Sequence, residues 1–212
     1  MRKYDYIIWD FNGTLLDDVE TGIWAVNKLL AERGLAGISG VEHYRRLFRF
    51  PIIEYYKDLG FDFEAESYEE LAPKWLALYL ERVKTATVYD DVFETLEAIK
   101  EQGIRQIVLS ASELGMLDGQ LRELGIRDYF EEVLGLDNIH AGSKLAIAED
   151  WRDRHPNARA LLIGDTDHDV ATARTLGADC VLIGRGHQSR ESLEKIGVPV
   201  YPTLKDIHHI IK

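Results

Sequence analysis

Cysteine is nearly missing from this chain: Cys180 is the only one among 212 residues. A disulfide framework and a cysteine-bound metal are thereby excluded, and the apolar run at 180–183 predicts a buried thiol. Positive charge is also short, with 25 lysines and arginines against 37 aspartates and glutamates and a net charge of −12. Such a balance repels polyanions and argues against nucleic acid or an anionic membrane as a partner. No apolar run approaches the ~18 residues of a membrane helix, and the first residues turn charged too early for a secretory signal, so a cytoplasmic protein is expected. Only five prolines occur, with no Pro/Gly/Ser-rich linker and no internal repeat. What remains is ordinary globular composition, 46% hydrophobic and 29% charged, in a chain long enough to bury roughly 70% of its unfolded surface.

Four short apolar runs ending in Gly, Asp or Ser read as buried parallel strands, at 6–9, 106–109, 160–163 and 180–183. Helical spacing follows at 113–124, 143–151 and 168–176, the first and last closed by Gly125 and Gly177. This alternation predicts an α/β fold with a doubly wound parallel sheet and active groups at the carboxyl ends of its strands. The first strand breaks the rhythm. Residues 18–33, 41–50, 52–59 and 68–83 read as helices, with Val19, Ile23, Val26 and Leu30 on one stripe of the first. Ser67 and Glu70 offer a capping box for the last, where Pro73 marks either a first turn or a kink. The expected division is an α/β core, 1–16 and 86–212, interrupted by an α-helical insert, 17–85.

Chemistry-bearing residues gather at the strand ends. Asp10-Phe11-Asn12-Gly13-Thr14 follows the first strand, and Ser110 and Ala111 follow the second. Lys144 opens a helix, and Gly164-Asp165 with Asp169 four residues on follows a later strand. Two carboxylates so spaced can reach one hard cation. A calcium loop is excluded, because Val170 stands where its glycine and Leu176 where its closing glutamate would be. Singly, each motif also fits a structural role: a turn at Asp10, a cap at Ser110, a solvated lysine at Lys144.

Taken in order, these motifs resemble the haloacid dehalogenase superfamily over the whole chain. The insert after strand one looks like the helical cap of its phosphoglycolate-phosphatase and β-phosphoglucomutase branch. The resemblance implies a Mg²⁺-dependent hydrolysis of a small phosphorylated metabolite. Asp10 would be the nucleophile, forming an aspartyl-phosphate. Asp10, the Asn12 main-chain carbonyl, Asp165 and Asp169 would serve the metal, Ser110 and Ala111 the phosphoryl oxygens, and Lys144 would neutralise the carboxylates. Arg45 and Arg49, four apart on one helix, would face a substrate anion from the cap, against the alternative of a solvated basic face. Gly184-Arg185-Gly186-His187 resembles a loop beside the metal site in that branch and lacks the third glycine of a dinucleotide fingerprint. His208 and His209 read as surface or packing positions.

Asn12 departs from the pattern, since most phosphatases of the superfamily carry an aspartate there as general acid and base. An amide does neither, and losing such help costs ~10²–10⁴ in rate. Several readings stay open: a slower phosphatase whose acid is water, His43, Asp17 or Asp18, substrates with good leaving groups, or a non-catalytic binder of a phosphorylated ligand. A dehalogenase, or a phosphonate hydrolase using Lys28, Lys57, Lys74 or Lys84, is less consistent with the motifs. Asn12-Gly13 is also a dipeptide open to deamidation, which would restore an aspartate.

Overall fold

Four wholly buried residues, Tyr6–Trp9, form strand β1 at the centre of a parallel sheet. The computed structural model describes residues 3–136 and 144–211. The other strands are β2 (Arg105–Glu113), β3 (Glu132–Leu136), β4 (Ala160–Gly164), β5 (Asp179–Ile183) and β6 (Val200–Tyr201). Their order is β3-β2-β1-β4-β5-β6, with parallel pairing throughout. This is a doubly wound Rossmann-like sheet, in which the chain leaves β1 toward β2 on one side and β4 lies on the other, opening a crevice above the strand ends.

Side chains alternate across the pleat, and both faces are covered. Ile7, Trp9, Val108, Leu161 and Ile163 face helices α5 (Val92–Glu101) and α6 (Leu114–Glu123) through Leu96, Ile99, Leu117 and Leu121. Tyr6, Ile8, Ile107, Leu109 and Leu162 face α7 (Lys144–Arg154) and α8 (Asp167–Leu176) through Ala148, Trp151, Ala173 and Leu176. Trp9 lies opposite Val108 on one side and Ile163 on the other. Its successor, Asp10, therefore emerges between the ends of β2 and β4.

Between β1 and α5 run α1 (Val19–Glu32), α2 (Val41–Leu47), α3 (Ile52–Asp58) and α4 (Tyr68–Arg82). They share a hydrophobic cluster of their own: Val19, Ile23, Val26, Leu29 and Leu30 from α1 meet Tyr44, Tyr55, Tyr56 and Leu71. The Ser67 hydroxyl accepts from Glu70 N while the Glu70 carboxylate accepts from Ser67 N, so the capping box starts α4 and Pro73 lies inside the helix.

Several elements differ from the sequence reading. Strand β2 continues four residues beyond Leu109, where its register with β3 shifts, and Glu113 caps α6 by accepting from Gly115 N and Met116 N. Strands β3 and β6 have no continuous apolar run, because both flank the sheet and stay half-exposed. Helix α2 stops at Leu47 rather than residue 50, with Phe48 extended ahead of Pro51, which disfavours helix in the residue before it. Ser143, the expected start of α7, lies outside the described residues. Cys180 is half-buried rather than enclosed; burial still pushes its thiol up to about 12.

Leu71 has no exposed surface and anchors the cluster of the inserted helices. Leu71→Ala should lower unfolding stability by about 2–5 kcal/mol, read from urea denaturation.

Candidate active site

The register of the sheet brings together what the sequence scatters. Asp10, Asp165 and Asp169 are buried, and each offers a carboxylate oxygen within 4.8 Å of the others. Lys144, at the start of α7 and 3% exposed, places its ammonium against Asp10 Oδ1 and 2.6 Å from Asp169 Oδ1. Thr14 Oγ1 donates toward Asp165 Oδ1 at 3.2 Å, with Asp10 Oδ2 at 3.4 Å. Asp169 is fixed from its other oxygen, which accepts from the backbone of Asp165 and Thr166 and from Thr166 Oγ1. Two glycines make the approach possible. A Cβ on Gly13, whose φ is +75°, or on Gly186 would collide with the Asp165 carboxylate.

Three carboxylates share one ammonium, and their proton affinities divide accordingly. Burial and then the Asp169 charge raise Asp10 well above the carboxylate range. Burial raises Asp165 to about 6, with the charge of His187 opposing and that of Asp169 adding. Burial acts on Asp169 too, but Lys144 outweighs it and holds that carboxyl below its ordinary value. For Lys144, burial is overcome by Asp10 and Asp169, so it stays protonated.

Asn12 belongs to a second polar group centred on Asp18. Its amide donates to Asp18 Oδ2 at 2.9 Å and to the Tyr79 hydroxyl at 2.7 Å, and its carbonyl oxygen accepts from Ser112 Oγ at 3.2 Å. Asp18 also accepts from Gly13 N and Tyr79 Oη, and His187 Nε2 lies 3.3 Å from Asp18 Oδ1. Burial opposes ionisation of Asp18, but the His187 charge, with bonds from His187, Tyr79 and Asn12, holds its carboxyl below the usual range. His187 is pushed up to about 9: burial works against its charge, while Asp18, Asp165 and Asp10 favour it. The His187 backbone donates to Asp165 Oδ2, and its Nδ1 lies 2.8 Å from the Tyr44 hydroxyl. Deamidation at Asn12-Gly13 is not favoured here. The Gly13 N–H that would attack the amide is committed to Leu16 O and Asp18 Oδ1, and the new carboxylate would face Asp18.

A cavity of about 410 Å³ stands over these groups. Ser110 and Ala111 line it beside Asp10, Asn12, Lys144 and Asp165, and the Ser110 hydroxyl meets Ser112. Arg45 and Arg49 do not line it. Arg45 grips the carbonyls of Arg185 and Gly186, tying α2 to the loop that carries His187, and Arg49 pairs with Asp58 at 2.8 Å. Nor do His43, Asp17, Lys28, Lys57, Lys74 or Lys84 reach it, whereas Asp18 does. His208 meets Thr95 and His209 packs on Tyr201. The sequence set the loop carrying His187 beside the metal site without giving the histidine a role, and Tyr44 and Tyr79 escaped it as parts of the site. Gly186 is what lets that loop approach Asp165.

Known proteins similar to this chain point to one family. A model of haloacid dehalogenase-like hydrolases matches residues 7–183. A phosphoglycolate phosphatase of Nitrosococcus oceani is 27% identical over 206 residues, covering 88% of this chain and 87% of its own. Another phosphoglycolate phosphatase, of Caulobacter vibrioides, is 26% identical and covers 90% and 83%. Among solved structures, a haloacid dehalogenase-like family hydrolase of Streptococcus pneumoniae superposes with a TM-score of 0.82, at 17% identity and 99% coverage of each chain.

Two expectations follow from the Asp18 group. Asn12→Asp should destabilise the metal-free protein by about 1–3 kcal/mol, because it replaces a donor with a second carboxylate, and Asp18→Asn in the same chain should recover part of that loss in thermal unfolding. The elevated His187 contributes stability that is complete below its unfolded value of about 6.5 and is lost as pH rises through about 9. The thermal midpoint without metal should therefore fall across that window, and His187→Gln should flatten the slope.

Proposed function

Since the chain belongs to the haloacid dehalogenase-like hydrolase family, we propose that it is a Mg²⁺-dependent phosphatase of a small phosphorylated metabolite, working through an aspartyl-phosphate on Asp10. The observation that carries this reading is the convergence of Asp10, Asp165 and Asp169, the first two of which line a cavity together with Ser110 and Lys144. The donor set suits a hard divalent cation: it is buried, all oxygen, and carries more negative charge than one lysine balances. Asp10, Asp165, Asp169 and the Asn12 main-chain carbonyl would hold it. A bound Mg²⁺ supplies positive charge that keeps Asp10 ionised and draws charge from the phosphoryl oxygens.

The chain's own residues do the rest. Asp10 is placed by β1 with its backbone N–H on Ile163 O, so the nucleophile is held at the sheet's centre. Ser110 and the backbone at Ala111, which line the cavity beside Asp10, would donate to the phosphoryl oxygens. Lys144 bridges nucleophile and Asp169 and would keep Asp10 aimed while shielding it from Asp169. We place the core at 1–16 and 86–212 and read 17–85 as a cap that excludes water. In this structure the cap is held down by Arg45 on the 185–186 carbonyls, by Tyr44 on His187 and by Phe50 stacked on His168 at 4.9 Å. Asn12 supplies no proton, so the first step is expected to depend on the ester's own leaving tendency.

Release of inorganic phosphate from phosphate monoesters, measured with Mg²⁺ and with EDTA, tests the reading. Chelation should abolish turnover, and Asp10→Asn should lower it at least ~10³-fold while leaving the fold intact by circular dichroism. Binding of phosphorylated ligands with no phosphate release under any condition would mark a non-catalytic sensor instead.

A further inference from the structure

Resting on the phosphatase reading above, we propose that the ester cleaved at Asp10 is an aryl phosphate, a monoester of an uncharged phenol, and not a phosphorylated carboxylic acid. Two independent features support this. The first is the part of the cavity lining that comes from the inserted segment, Phe48, Ile52, Tyr68, Trp75 and Leu76, all partly exposed. Trp75 is already stacked on Tyr79, with ring centroids 4.9 Å apart and planes at 19°, so the wall presents a flat aromatic face. Among the described residues Lys144 is the only lysine or arginine lining the cavity, and its ammonium is held between Asp10 and Asp169. Arg45 and Arg49 are engaged elsewhere. His187 is paired with Asp18, and His168 stacks on Phe50. A substrate carboxylate would enter this space without a counter-charge, which disfavours it strongly.

Aromatic walls also suit alkyl groups and quaternary ammonium ions. The second feature decides among them. Among the described residues, the side-chain donors that meet Asn12 or Asp18 are engaged there: Tyr79 Oη and His187 Nε2 with Asp18, and Ser112 Oγ with the Asn12 carbonyl. The second ring nitrogen of His187 is taken by Tyr44. A departing alkoxide, about as basic as hydroxide, needs a proton that the Asn12 amide cannot give. A phenolate, with a conjugate-acid pKa of about 10, leaves without one.

The proposed steps balance as follows. An Asp10 carboxylate oxygen bonds to phosphorus while the P–O bond to the ring breaks, and the electron pair leaves on the phenolate oxygen, which is then protonated by water. Water next attacks phosphorus, the P–O bond to Asp10 breaks with its pair returned to the carboxylate, and the surplus proton leaves to solvent. One ester and one water give one phenol and one inorganic phosphate. No side-chain base at position 12 assists the second step, which is identical for every ester and is therefore the slow one for good leaving groups.

The holoenzyme with Mg²⁺ is assayed on 4-nitrophenyl phosphate, phenyl phosphate, phosphoglycolate and phosphocholine. Expected are a kcat/KM for phenyl phosphate about 10²-fold or more above those of the two alkyl esters, one equivalent of 4-nitrophenol per Asp10 in a pre-steady-state burst, and equal kcat for the two aryl esters. Benzylphosphonate, which binds but is not cleaved, should inhibit at lower concentration than phosphonoacetate. Leu76→Arg should reverse that inhibitor order by adding a cation to the wall, with Ile52→Arg as the second variant should the first misfold. Phosphoglycolate or phosphocholine matching phenyl phosphate, or phosphonoacetate binding the wild type more tightly, overturns the aryl assignment and leaves the phosphatase reading standing. No phosphate released from any ester, with Asp10→Asn indistinguishable from wild type, overturns both.

Discussion

Three buried carboxylates and one ammonium meet at the ends of β1 and β4, and the remainder of the structure is arranged around their mutual repulsion. Alone, Asp10, Asp165 and Asp169 would not ionise together in so small a space. The sheet holds them there regardless, because the strands that carry them are locked by a parallel register and by packing on both faces. Lys144 meets part of the excess charge from α7, and the helix that follows β4 meets another part through the Thr166 backbone and hydroxyl. What remains is a standing demand for positive charge. A buried oxygen-only site with that demand suits a hard cation better than any apolar or anionic ligand.

Asp18 extends the same constraint into the inserted helices. Its carboxylate lies just beyond the strand-end turn and draws donors from three parts of the chain: Asn12 and Gly13 from that turn, Tyr79 from α4 and His187 from the loop after β5. His187 then reaches Tyr44 on α2 through its ring and Asp165 through its backbone. The metal-site candidates and the helical insert are thus joined by one hydrogen-bonded group. Tilting the insert away from the sheet would have to break bonds at Asn12 and His187. Arg185 secures the loop from the opposite side, with two bonds to Asp91 and its guanidinium 3.9 Å from the Tyr89 ring.

Most of the sheet was legible in the sequence, and the reason is physical. Central strands buried on both faces leave a continuous apolar signature, as at Tyr6–Trp9 and Ala160–Gly164. Edge strands do not, so Glu132–Leu136 and Val200–Tyr201 went unread. The charged members of the candidate site were legible through their order along the chain, which resembles that of the family, since each motif alone also fits a turn, a cap or a solvated side chain. Their neighbours were not. Tyr44 and Tyr79 look like core residues on amphipathic helices, which by their rings they also are, and only the hydroxyl ends enter the Asp18 group. Arg45 misled for the complementary reason: a basic residue on an exposed helix face suggests an anionic ligand, yet backbone carbonyls accept from a guanidinium equally well. Sequence spacing gives the face of a helix and not what lies across from it.

The amide at position 12 looks like a loss when the strand-end motif is read alone and like a fitted part when Asp18 is included. A carboxylate there would stand within hydrogen-bond distance of an Asp18 carboxylate that its surroundings keep ionised. Asn12 instead spends both amide hydrogens on Asp18 and Tyr79. The substitution and its neighbourhood are consistent with one another at the level of charge, donor count and geometry. Acid catalysis and a tightly held Asp18 group are competing uses of one position, and this chain has taken the second. On the proposed phosphatase reading, rate would come from what remains: the nucleophile, the charge around the phosphoryl group, and binding energy from the part of the substrate that meets the aromatic wall. A wall without free cations makes that last contribution largest for flat, uncharged groups, which are also the groups whose oxygens leave most readily without a proton.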